Sequence, residues 1–165
     1  MTTGLGSALT AKVIQRINAP EGMNANLAAL TAPGTVRLPV EAEQIRTQNV
    51  AADLIERSTT VRYPSVSVYC EKIANDLTEK FRSFSGTVQM AIELRHSQDK
   101  LAGLQDALEV YADSVMRTLD AARGDWGDGM FYAGEYEVSL GPVKHGGRNF
   151  VQAAKITFRV GVSRN

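Results

Sequence analysis

The sequence predicts an α+β fold, a four-stranded and mainly antiparallel sheet with helices packed on one face. Three observations carry that expectation. Val88, Met90, Ile92 and Leu94 alternate with Gln89, Ala91, Glu93 and Arg95, the two-residue period of a strand covered on one side only. Leu101, Leu104, Leu108, Tyr111, Val115 and Leu119 then recur at spacings of three and four, the stripe of an amphipathic helix over about Asp99 to Arg123. Two more alternating runs, 131–140 and 150–162, flank the turn-rich 141–147 and read as a closing hairpin.

At 165 residues the chain is long enough for one hydrophobic core, and a single domain over 1–165 is expected. Apolar residues at 44% and charged residues at 22% are ordinary for a globular domain. Lys+Arg and Asp+Glu balance at 18 each, so no net basic field draws the chain to nucleic acid or to an acidic membrane. No apolar run approaches the roughly 18–20 residues that span a bilayer, and no membrane partner is expected. The start lacks a charged n-region and a continuous apolar h-region, so a secretory signal is not expected. Cys70 is the single cysteine and cannot form an intramolecular disulfide, which agrees with a reducing compartment.

Taken in order, the first helix is expected over about Gly6 to Ile17, through Leu9, Val13, Ile14 and Ile17. Asn18-Ala-Pro20 stops it, because the residue before proline avoids the helical region. Residues 19–60 read as an extended arm or loop of weak structure, broken by Pro20, Gly22, Pro33, Gly34 and Pro39. Weak helical spacing runs from Glu41 to Arg57 through Ile45, Ala52 and Ile55. A segment this long either covers a partner or is ordered by packing on its own domain. Val66, Val68 and Cys70 then mark a strand, with Cys70 a small apolar-face residue that has no cation beside it. From Glu71 to Phe84 two readings stand: a helix through Ile73, Leu77, Phe81 and Phe84, or a wide hairpin with Asn75-Asp76 at its tip.

Ser97 and Asp99 are candidate N-caps for the long helix, and Gly124 a candidate stop. The loop Gly124–Gly129 is flexible by composition and holds the only tryptophan. Trp126 either closes an edge of the core or anchors a partner. In the last hairpin, Tyr132, Gly134, Tyr136, Val138 and Leu140 are expected to pair with Ala154, Ile156, Phe158, Val160 and Val162.

No catalytic, cofactor or metal constellation is found. His96 and His145 lie in turn regions without paired cysteines or a zinc-type spacing. The glycine loop at 124–129 follows a helix, the wrong context for a phosphate cradle. Asp125 and Asp128 suit a solvated turn, and Glu135 and Glu137 share one strand face without the pocket that acid–base work needs. An enzyme is therefore not expected. Assembly is suggested instead, because an open sheet has two edges that must be blunted, covered or paired.

Tyr63-Pro-Ser-Val-Ser-Val-Tyr69, Lys80-Phe-Arg-Ser-Phe-Ser-Gly86 and His96-Ser-Gln-Asp99 precede Phe131-Tyr-Ala-Gly-Glu-Tyr136, Gly146-Gly147 and Phe150-Val-Gln-Ala-Ala154. This pattern, over about Tyr63 to Ser163, resembles the tail terminator (tail completion) proteins of long-tailed bacteriophages. The resemblance favours the hairpin over the helix at 71–84. It implies a homohexameric ring in the virion neck that caps the tail tube, ends its polymerisation and forms the surface joining the head connector. Self, the tail tube protein and a head–tail connector or stopper are the implied partners, with DNA passing through the lumen and no cofactor. Ring contacts are then expected at the sheet edges, the 41–60 arm and the Trp126 loop, with Ile45, Tyr63, Tyr69, Trp126 and Phe131 as candidates. Arg95, Lys155 and Arg159 are candidates to line the lumen, against the plainer reading of a solvated strand face. The rival readings are another neck protein, a head–tail stopper or adaptor, and a small-molecule enzyme using the open sheet face.

Overall fold

The structure, a computed structural model, describes residues 3–51, 54–55, 61–146 and 148–165. In chain order it contains α1 (Leu5–Ile17), α2 (Met23–Leu30), a 3-10 turn at Ala42–Gln44 and the strands β1 (Ile45–Arg46), β2 (Ser65–Asn75) and β3 (Phe84–Gln98). After these come α3 (Leu104–Ala121), β4 (Gly124–Gly127), β5 (Met130–Tyr132), β6 (Tyr136–Leu140), β7 (Lys144–Gly146) and β8 (Asn149–Arg164).

The fold is α+β, but the expected four-stranded, mainly antiparallel sheet is overturned. Among the described residues eight strands join one mixed sheet in the order β1-β2-β3-β8-β5-β4, with β6 and β7 also paired to β8. The β1–β2 pair is parallel and the other pairs are antiparallel. The extra strands have a geometric cause. β8 is 16 residues long, and β3 alone matches that length along one edge. Its other edge is divided among β5, β6 and β7. β1 and β4 come from stretches that read as arm and loop.

Alternation fixes the core. Val66 and Val68 of β2, Val88 to Leu94 of β3 and Ala154 to Val162 of β8 turn one face to α1, α2 and α3. Leu9, Val13 and Ile17 are the buried stripe of α1, and Leu108, Tyr111, Val115 and Leu119 lie on that of α3. Each aliphatic side chain so buried contributes roughly 1.5–3 kcal/mol, which is what holds helices of marginal intrinsic stability on the sheet.

Several boundaries differ from expectation. α3 begins at Leu104 because Gly103, at φ 79°, is its N-cap and no side chain caps it. Ser97 lies inside β3 instead. Gln98 Nε2 donates to the carbonyls of Lys100 and Ala102, both at 2.8 Å, and so orders the turn that replaces the first expected helical residues. The ambiguous 71–84 stretch is a hairpin, with β2 running to Asn75 and β3 starting at Phe84. Asn75 closes its tip, donating to Ser83 O at 3.1 Å and accepting from Ser85 N at 2.9 Å. A Cβ on Gly86 would lie 1.9 Å from the Ala74 carbonyl oxygen, so this close approach admits only glycine.

Within the arm, α2 was not expected. It docks through Met23 and Leu27, and Asn26 Nδ2 donates to Thr118 Oγ1 of α3 at 3.1 Å. Asn24 then ties down the following loop by exchanging two 2.9 Å bonds with the Val40 backbone. The expected helix from Glu41 to Arg57 falls partly outside the described residues. Where it is described, it is replaced by the 3-10 turn and β1, with helical backbone only at Leu54 and Ile55.

Candidate functional site

Strand register builds a polar face on the side of the sheet away from the helices. Ser67 stands opposite Glu93, and Glu93 opposite Lys155. Around this row the charges pair with one another. Arg95 donates to Glu93 Oε1 at 2.7 Å, and the Tyr69 hydroxyl bonds Glu93 Oε2 at 3.1 Å. Lys155 is salt-bridged to Glu71, which also accepts from Gln89 Nε2 at 2.8 Å.

Burial and the neighbouring Glu93 push the Tyr69 phenol far above its usual range, so it remains a neutral donor. For Glu71, burial alone raises the pKa, but the bonds from Lys155 and Gln89 outweigh it and hold the carboxyl below its usual value. Burial pushes the Cys70 thiol up, ahead of the opposing bond to Lys72, which disfavours a thiolate. The charges along this row are thus paired with one another, and one polar atom among them is left over. The Arg95 side chain is only 3% exposed, and its Nε is buried with no hydrogen-bond partner among the described residues.

The expected lumen residues therefore separate. Arg95 is buried, Lys155 is held by Glu71, and Arg159 is exposed. Arg159 borders a shallow open depression with Gln89, Glu135, Glu137 and Thr157.

The expected contact residues separate too. Trp126 is 6% exposed and belongs to the core. Its indole Nε1 donates to Ala122 O at 2.7 Å, and the Arg16 guanidinium lies 4.1 Å from its ring centroid. The loop around it is not loose: β4 and β5 pair across it. Tyr69 is buried in the outer-face network, while Ile45 and Tyr63 are half-buried, Ile45 packing against the core. Phe131 alone of the five stands well out, at 55% exposed.

Sequence reasoning missed other surface features. Phe81, at the tip of the β2–β3 hairpin, is 100% exposed, and Ile73 and Leu77 near it are exposed as well. Val138 and Leu140 of β6 are also exposed, although they share the core-facing side of the sheet with Ile156 and Ala154, because the covering helices pack on β2, β3 and β8 and not out over β6. Among the described residues β6 pairs with β8 alone, and β2 has no second neighbour beyond its two positions opposite β1.

His96 is half-buried against Tyr111, with ring centroids 5.3 Å apart, and burial and Arg37 together lower its pKa. Among the described residues no group of three or more His, Cys, Asp or Glu side chains is placed to hold a metal ion, and no helix is long and apolar enough to cross a membrane. No family model matches the chain, and no curated protein matches it significantly.

Proposed function

We propose that this chain is a structural subunit of a phage neck. Copies form a homo-oligomeric ring that caps the tail tube, ends its polymerisation and offers the surface to which the head connector joins. The reading starts from the sequence resemblance to tail terminators. One structural observation supports it most directly: open strand edges lie on opposite sides of the same sheet, at β2 and at β6. Two different edges on one chain favour a head-to-tail contact, and repetition of such a contact closes a ring when the rotation allows.

The test is the mass of the purified protein in solution, with and without the tail tube protein. A hexamer, or a monomer that forms rings when tube ends are added, is expected. A strict monomer that ignores tube ends refutes the proposal.

A further inference from the structure

The open edges at β2 and β6 differ in chemistry. β6 presents Val138 and Leu140 on the helix-facing side of the sheet and Glu137 on the other, opposite Thr157 of β8. On β2, past its irregularity between Cys70 and Lys72, Ile73 is on the helix-facing side and Lys72 on the other, opposite Gln89 of β3. All five side chains are exposed. Among the described residues neither Lys72 nor Glu137 has an ion-pair partner.

A bulge and a lysine are devices that keep a sheet edge from pairing indiscriminately. A lysine guard is satisfied by a strand that brings a carboxylate on the same face, and β6 is such a strand. Direction agrees as well. β2, β3, β8 and β6 alternate in sense through three antiparallel pairings, so β6 runs opposite to β2. A second copy in the same orientation thus brings its β6 antiparallel to the first copy's β2.

We infer that the occupant of the open β2 edge is the β6 strand of a second copy of this chain, joined by continuation of the sheet from molecule to molecule. Ile73 then meets Val138 and Leu140 on one face, and Lys72 meets Glu137 on the other. The inference rests on the proposed self-assembly and names the surfaces that perform it. It also assigns the exposure of Val138 and Leu140 a role, since an apolar pair beyond the reach of the covering helices is closed by the neighbouring molecule.

Two sets of variants test it under conditions where the wild-type protein assembles. Lys72→Glu and Glu137→Lys are each expected to reduce the assembled fraction at least tenfold by light scattering after gel filtration, and the double reversal to restore it. In a Cys70→Ser background, Ile73→Cys with Val138→Cys is expected to give a ladder of covalent dimers, trimers and higher species on mild oxidation. Within one chain these positions are three strand spacings apart across the sheet, at least about 14 Å, too far for a disulfide. Circular dichroism of each variant separates lost assembly from lost folding. If the wild type forms rings but the single reversals leave them intact and no ladder forms, this pairing is overturned and the ring proposal survives. A wild type that stays monomeric at every concentration, with or without tube ends, overturns both.

Discussion

Replacing Trp126 by alanine separates its two possible roles by magnitude. The indole is almost fully buried, bonds the Ala122 carbonyl at 2.7 Å and lies 5.4 Å from the Tyr132 ring and 6.4 Å from that of Phe158, centroid to centroid. Arg16 of α1 covers its other side. Truncation leaves a cavity where α1, α3 and β8 meet and is expected to cost about 3–5 kcal/mol. For a domain of this size that is a fall in melting temperature of about 6–20 °C. Trp126→Phe keeps most of the ring contact but orphans the Ala122 carbonyl, at about 1–3 kcal/mol. Urea unfolding followed by far-ultraviolet circular dichroism reads both, since the only fluorescent indole is removed. An alanine variant within about 1 kcal/mol of the wild type, but unable to assemble, refutes the core assignment and makes Trp126 an anchor for a partner.

Four further outcomes are expected. Gly86→Ala forces a Cβ against the Ala74 carbonyl and should cost about 1–3 kcal/mol, with amide protection lost first around the β2–β3 tip; unchanged exchange there contradicts the close approach. Phe81 is fully exposed at φ 66°, so Phe81→Gly should raise the urea midpoint by a gain of up to about 1 kcal/mol, and a loss contradicts the left-handed assignment. Because the Glu71 carboxyl is held below its unfolded pKa of about 4.3, its contribution is full above that pH and lost as pH falls through the folded value. The stability of Glu71→Gln should therefore decline less than that of the wild type between about pH 6 and 3. His96 has a lowered pKa, so its ring should titrate below 6.5 by proton resonance, and the stability it confers should be present above that pH and lost on acidification; a midpoint above 6.5 contradicts its burial beside Arg37.

The legible parts of the fold were those where one periodicity dominated over many residues. Val88–Leu94 and Leu104–Leu119 meet that condition, and both elements are found. Start signals were weaker. Ser97 and Asp99 resembled N-caps, but β3 extends to Gln98 and Gly103 opens the helix, because pairing with β8 outcompetes a side-chain cap. α2 was not legible, as eight residues with two asparagines have poor helix propensity and are stabilised by contacts with α3 that are distant in sequence. β1 and β4 are too short to show a period at all.

The same limit applied to the surface. Alternation put Arg95 beside Glu93 on the polar face, but that Glu71 holds Lys155 depends on the register of β2, β3 and β8, which the sequence does not show. Phe81 carried a helical signal and is fully exposed, whereas Trp126 sat among glycines and is buried. For single aromatic residues, local composition was a poor guide to burial.

β8 has a consequence for how the protein is made. It supplies the neighbour for one whole side of β3, and it arrives late in the chain. About 50 residues separate the end of β3 from the start of β8, which at ~5–20 residues per second is a few seconds of synthesis. During that interval β3 has β2 on one side, opposite Gly86 to Arg95, and its later partner β8 is absent from the other. A nascent chain at this stage displays a long, apolar, unpaired strand, the form most prone to join the wrong neighbour. On crowded polysomes, where many copies wait at that stage together, the yield of correctly folded subunits depends on how quickly β8 follows.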